Sequence, residues 1–179
     1  MLPRNAVMAC FDFFHQHMLG YKPEFVFPFA LSALLASTNC VMIVYGHHLS
    51  PRVKTQYTFA LSGVLMLSLP VLAYCLDPTP AFYSCFFVLV VFGLLNGVLY
   101  SGIYGFAAFL PPKYMAAVMY GQGIIGILTC SLRMLFAATF PEDSLYLQAL
   151  IFFSLACVFY LGCAISFSYL EQNEFFKYY

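Results

Sequence analysis

Arg133 is the residue whose type is hardest to reconcile with its surroundings, because it sits in the apolar run LTCSLRMLFAA. A cation in hydrocarbon costs about 2.5–3.5 kcal/mol on insertion scales, so it is paired, faces water or reaches for the surface. Pro141 lies roughly 10 Å further along a helix, which leaves both a bundle network and snorkelling open. Thr129 precedes Arg133 on the same helical face and extends a polar track. Asn96 falls near the middle of a second apolar run, and Asn39, with Ser37 and Thr38, near the middle of a third. Buried amides need hydrogen-bond partners, which another helix or a solute path can supply. Tyr100 and Tyr104 are one helical turn apart and offer flat faces, either to a planar ring or to packing.

Gln122 lies in Gly121-Gln122-Gly123-Ile124-Ile125-Gly126, which spells the GxGxxG of dinucleotide-binding sites. That chemistry needs a preceding strand and a pyrophosphate at a helix N-terminus. Here helical, apolar sequence runs on both sides, so the pattern implies close helix packing around one polar side chain. His15 and His17 fall on the opposite side of the membrane from His47 and His48, and the two pairs cannot share a metal. The seven cysteines, Cys10, Cys40, Cys75, Cys85, Cys130, Cys157 and Cys163, lie mostly in apolar runs without a CxxC pair, as small hydrophobes do. No Ser-His-Asp set or paired carboxylates occur at workable depth within a span. An enzyme is not expected, nor a cofactor or a metal.

These residues are held in a chain of 179 residues that is 63% hydrophobic, 20% aromatic and only 8% charged. Soluble domains carry about 25% charged residues, so this chain lacks the polar surface that water would require. Its mean hydropathy is +0.88, and the lipid bilayer is its expected surrounding. The formal net charge is zero, which excludes the basic field of a nucleic-acid binder. The expected class is an all-α integral membrane protein forming one transmembrane domain over 1–179.

Complete spans are predicted over 25–45, 57–76, 82–110, 114–140 and 145–170, with a partial span over 1–14 and a tail over 171–179. Residues 15–24, 46–56 and 76–81 read as loops, and Pro70 as a kink within the second complete span. Gly93, Gly97, Ser101 and Gly105 fall on one face of the third complete span, where small residues let backbones approach closely. Asp12, Arg4 and Asn5 share a broad face of the partial span. Arg52, Lys54, Lys113 and Lys177 collect on one side, and the positive-inside rule makes that side, and the C-terminal tail, cytoplasmic. A half-span extending back to a cytoplasmic start would make six helices.

LPRNAVMACFDFF resembles the first-helix signature of the equilibrative nucleoside transporter family, Leu-Pro-Trp-Asn followed by small and aromatic residues. GFAAFLPPKYMAAVMYGQGIIG resembles that family's junction between its fourth and fifth helices, and NEFFKYY the close of its sixth. The resemblance implies a major-facilitator-like carrier of eleven helices, of which this chain is the six-helix N-terminal half. It would begin part-way along helix 1 and lack helices 7 to 11. The halves rock about a central site in alternating access, carrying nucleosides such as adenosine, inosine or uridine, and sometimes nucleobases.

Carried over by position, Met1 and Met8 sit where apolar residues touch substrate, Arg4 replaces the signature Trp, and Asn5 matches the signature Asn. Tyr100 falls where some members read the base with Gln. Gln122 and Gly123 match a Gly-Gln-Gly run assigned to packing or gating. The implied function is nucleoside transport by a chain that is part of a longer carrier, at the plasma membrane. The alternative is a non-transporting multi-span protein that acts as an assembly or regulatory partner through its small-residue stripe.

Overall fold

The computed structural model describes residues 13–15, 22–46, 50, 53–108, 111–139 and 145–172. Five long helices follow in order: α1 (Pro23–Tyr45), α2 (Thr58–Cys75), α3 (Pro78–Ala108), α4 (Pro112–Thr139) and α5 (Leu145–Gln172). A π-helical turn, Val53–Tyr57, leads into α2. All five helices are long and apolar enough to cross a membrane, and no strand occurs among the described residues. The protein is an all-α membrane protein, as hydrocarbon demands of a backbone that must satisfy its own hydrogen bonds.

Prolines set where several helices begin. α1, α3 and α4 open at Pro23, Pro78 and Pro112, positions at which the missing N–H would have had no acceptor. The expected starts at 82 and 114 are therefore too late, because Pro78, Pro80 and Pro112 sit inside first turns rather than in loops. The polar loop expected over 46–56 also needs correction, since residues 53–57 form the π turn. Thr55 in that turn is buried, and the turn packs against α2, α3 and α5. Pro70 lies inside α2, which continues to Cys75. At the other end, residues 171 and 172 complete α5 instead of opening the tail. Residues 1–12 and 173–179 lie outside the described residues.

α3 is the axis of the bundle. It runs 31 residues, about 46 Å at the rise of an α-helix, which exceeds the hydrocarbon thickness and requires tilt or protrusion. α1 packs along one side of it and α2 along another, while α5 packs on α2. Near the start of α3 and the end of α2 the interior is a dry aromatic core. Phe14, Phe27, Phe82, Phe92 and Phe153 meet there with Met66, Leu69 and Leu89. Phe27 and Phe82 stack at 5.6 Å, and Phe14 meets Phe27 and Phe153 edge-on at 5.6 and 6.3 Å. In lipid this core gains from dispersion and shape rather than from leaving water.

α4 is the exception. Only 6% of its apolar window is buried, against 50% for α3. Met119, Tyr120, Ile124, Ile127, Met134 and Leu135 are exposed along it.

Candidate functional site

Toward the opposite end of the bundle from the aromatic core, α2, α3, α4 and α5 line a half-open cavity of about 290 Å³. α2 contributes Phe59; α3 contributes Asn96, Leu99, Tyr100 and Ile103; α4 contributes Val118, Gly121, Gln122, Ile125 and Leu128; α5 contributes Phe159, Tyr160 and Cys163. The walls are mostly apolar and aromatic apart from the two amides, and among the described residues no Asp, Glu, Lys, Arg or His lines them.

Glycines determine how the elements reach this cavity. A Cβ at Gly63 would stand 3.3 Å from the Tyr160 Cβ, so the small residue lets α5 lie close on α2 and brings Tyr160 inward. Its hydroxyl donates to Asn96 Oδ1 at 3.3 Å, and Asn96 Nδ2 donates to the Phe92 carbonyl at 2.7 Å. Asn96 and Tyr160 are each 5% exposed, so this pairing satisfies polar groups that would otherwise be costly to bury. A second amide–phenol pair joins α3 to α4, where Gln122 Nε2 donates to the Tyr104 hydroxyl. That hydroxyl in turn donates to Met119 Sδ at 3.9 Å. Tyr104 also stacks on Tyr100, with centroids 6.0 Å apart and planes at 29°.

The small-residue stripe divides. At Gly97 an added Cβ would stand 2.7 Å from Thr38 Cγ2, and at Gly93 3.0 Å from the Leu34 Cβ, so these two glycines seat α1 against α3. At Gly105 and Gly123 an added Cβ meets nothing within 4 Å among the described residues. Ser101 is half-buried. Met1, Arg4, Asn5 and Met8 lie outside the described residues, as does Asp12.

Arg133 is half-buried and its Nη1 donates to Gln148 Oε1 on α5 at 3.0 Å. The polar track expected from Thr129 does not extend to it, because Thr129 Oγ1 donates back to the Ile125 carbonyl at 2.7 Å. Ser37 likewise donates to Ala33 at 2.7 Å. Thr38 Oγ1 and the wholly buried Ser62 Oγ have no hydrogen-bond partner among the described residues. The GxGxxG run lies inside α4, without the strand a dinucleotide site requires. Among the described residues no group of three metal-ligating side chains forms.

Sequence reasoning picked out Asn96, Tyr100, Tyr104 and Gln122 but passed over Tyr160, Phe59 and Cys163. The signal for Tyr160 is a phenol in mid-span, a group that seeks a hydrogen-bond partner when buried.

The nucleoside transporter family model matches residues 86–179, just over half of the chain. Equilibrative nucleotide transporter 1 of Arabidopsis thaliana is 24% identical over 188 residues, covering 99% of this chain and 41% of that protein. Equilibrative nucleoside transporter 4 of Homo sapiens is 25% identical over 186 residues, covering 100% of this chain and 34% of that protein. Equilibrative nucleoside transporter 1 of Homo sapiens is 30% identical over 104 residues, 58% of this chain and 22% of that protein. The chain thus spans less than half the length of these curated relatives.

Proposed function

The chain belongs to the nucleoside transporter family, and from that membership we propose that it supplies the N-terminal half of a carrier that moves nucleosides across a membrane by alternating access. Helices 7 to 11 would complete it. The observation that carries this reading is the cavity between α2, α3, α4 and α5. Its volume of about 290 Å³ is close to the lower bound of small-molecule pockets, about 300 Å³. Its lining suits a neutral, planar solute: aromatic rings for a base to stack on, and the amides Asn96 and Gln122 to meet polar edges. Among the described residues no ionised group lines the cavity, and such a lining suits an uncharged nucleoside better than a phosphorylated one.

The dry aromatic core blocks the bundle toward the start of α3, whereas the cavity sits nearer the end that carries Lys54 and Lys113. With those lysines cytoplasmic, this arrangement is a half-carrier whose solute cavity lies toward the cytoplasm, with the tail on that side and the plasma membrane as its location. Rocking against the second half would expose the cavity alternately to the two sides.

The test is uptake of labelled adenosine, inosine and uridine by the complete protein, in cells lacking their own carriers and with surface abundance measured in parallel. Saturable uptake that unlabelled nucleoside inhibits is expected. A protein that reaches the membrane and gives no saturable uptake of any nucleoside or nucleobase would overturn the proposal and favour an assembly or regulatory role.

A further inference from the structure

The two amides that line the cavity are not in the same hydrogen-bonding condition. Asn96 has its oxygen engaged by Tyr160 and one N–H by the Phe92 carbonyl, so only its second N–H and one lone pair remain. Gln122 has one N–H engaged, by Tyr104. The Tyr104 hydroxyl also donates to Met119 Sδ, an arrangement in which the phenol accepts from Gln122. A carboxamide offers two N–H donors and an oxygen with two lone pairs. Tethered in this way, Gln122 has its oxygen and its second N–H unengaged among the described residues and available to a ligand. Beside it, the Tyr100–Tyr104 stack presents an aromatic surface, and Tyr100 and Gln122 line the same cavity.

We infer that Gln122 is the base-reading residue of the carrier, held in position by Tyr104, and that it recognises a nucleobase edge carrying a donor beside an acceptor. The inference rests on the nucleoside-carrier reading and assigns its specificity to α4. An amide with both a donor and an acceptor unengaged pairs in two-pronged fashion with such an edge, as Gln does with the amino group and ring nitrogen of adenine. The ring plane of the base would lie along the tyrosine stack while its polar edge meets the amide. Tyr104 is a positioning residue: without its hydroxyl the Gln122 side chain regains its rotamers and loses part of its preorganisation.

The experiment compares uptake of adenosine with that of purine riboside, which lacks the 6-amino donor, by the complete protein and its Gln122→Leu and Tyr104→Phe variants. The parent is expected to prefer adenosine, and Gln122→Leu to lower the adenosine-to-purine-riboside ratio of uptake efficiencies by about tenfold, the loss of one two-pronged pair. Tyr104→Phe should lower the same ratio by a smaller factor. A purely structural role would reduce uptake of both solutes in proportion and leave the ratio alone, so an unchanged ratio in Gln122→Leu overturns the inference. A parent that does not discriminate overturns it too. Should Gln122→Leu fail to reach the membrane, an unchanged ratio in Tyr104→Phe has the same force. An active parent with an unchanged ratio removes only this assignment, whereas a parent inactive toward every nucleoside removes the carrier reading beneath it.

Discussion

A methyl group at Gly97 would have to occupy space 2.7 Å from Thr38 Cγ2, with backbone of α3 behind it and α1 in front. Overpacking of this kind costs about 1–3 kcal/mol, and Gly97→Ala is expected to lower the thermal unfolding midpoint of the detergent-solubilised protein. Gly105→Ala meets nothing within 4 Å among the described residues and should leave that midpoint unchanged or raise it, since Ala favours helix over Gly by about 1 kcal/mol. Equal losses at the two positions would refute the assignment of the close approach to Gly97. Ser62 invites the opposite change. Its hydroxyl is fully buried without a partner among the described residues, so Ser62→Ala removes a desolvated polar group and should be neutral or stabilising in the same measurement. A marked loss would point to a partner for that hydroxyl. Polar residues within apolar runs can be read from a sequence, and so can a stripe of small ones. Their partners cannot: Tyr160 lies 64 positions from Asn96, and nothing in the spacing of the stripe says that Thr38 faces Gly97 while Gly105 has no such neighbour among the described residues.

At the scale of elements, hydropathy located all five helices because each run is long and apolar. It misplaced the starts of α3 and α4, since proline marks both the loop before a helix and the first turn within it. It also missed the π turn, whose Lys54 and Gln56 carry the polarity of a loop although Thr55 between them is buried. α4 buries little of its surface, and beside the packing of Leu132 and Phe136 on the core it carries side-chain hydrogen bonds from Gln122 to Tyr104 on α3 and from Arg133 to Gln148 on α5. Interhelical hydrogen bonds in membranes average about 0.6 kcal/mol, so such ties are weak enough to break and re-form in a working cycle. On this account Arg133→Ala reaches the cell surface yet loses most nucleoside uptake, because the hydrogen bond from α4 to Gln148 on α5 is gone. Uptake equal to the parent's at equal surface abundance would reduce the Arg133–Gln148 bond to an incidental contact of a snorkelling side chain.

For the whole molecule, the decisive question is whether the cavity holds water, because only a hydrated cavity can admit a nucleoside from one side of the membrane. Two cysteines give an internal comparison. Cys163 lines the cavity, whereas Cys85 is wholly buried against α2, its thiol directed at the Leu69 carbonyl at 3.8 Å. Small methanethiosulfonate reagents attack the thiolate, which forms in water and not in hydrocarbon or in a dry core. In a background lacking the other cysteines, a protein retaining Cys163 should therefore be modified rapidly, and one retaining Cys85 should not. Excess adenosine should slow the first reaction by occupying the cavity. Rapid modification of Cys163 that adenosine leaves unaffected would make the space a hydrated crevice outside the solute path. No modification at all would make it a lipid-filled gap beside α4, where so little of the helix is buried. The sidedness of the reaction is informative as well. Reagent applied from the face that carries Lys54 and Lys113 should reach Cys163 first, because the aromatic core around Phe27, Phe82 and Phe153 blocks the opposite approach; faster labelling from that opposite face would invert both the proposed orientation and the state of the half-carrier.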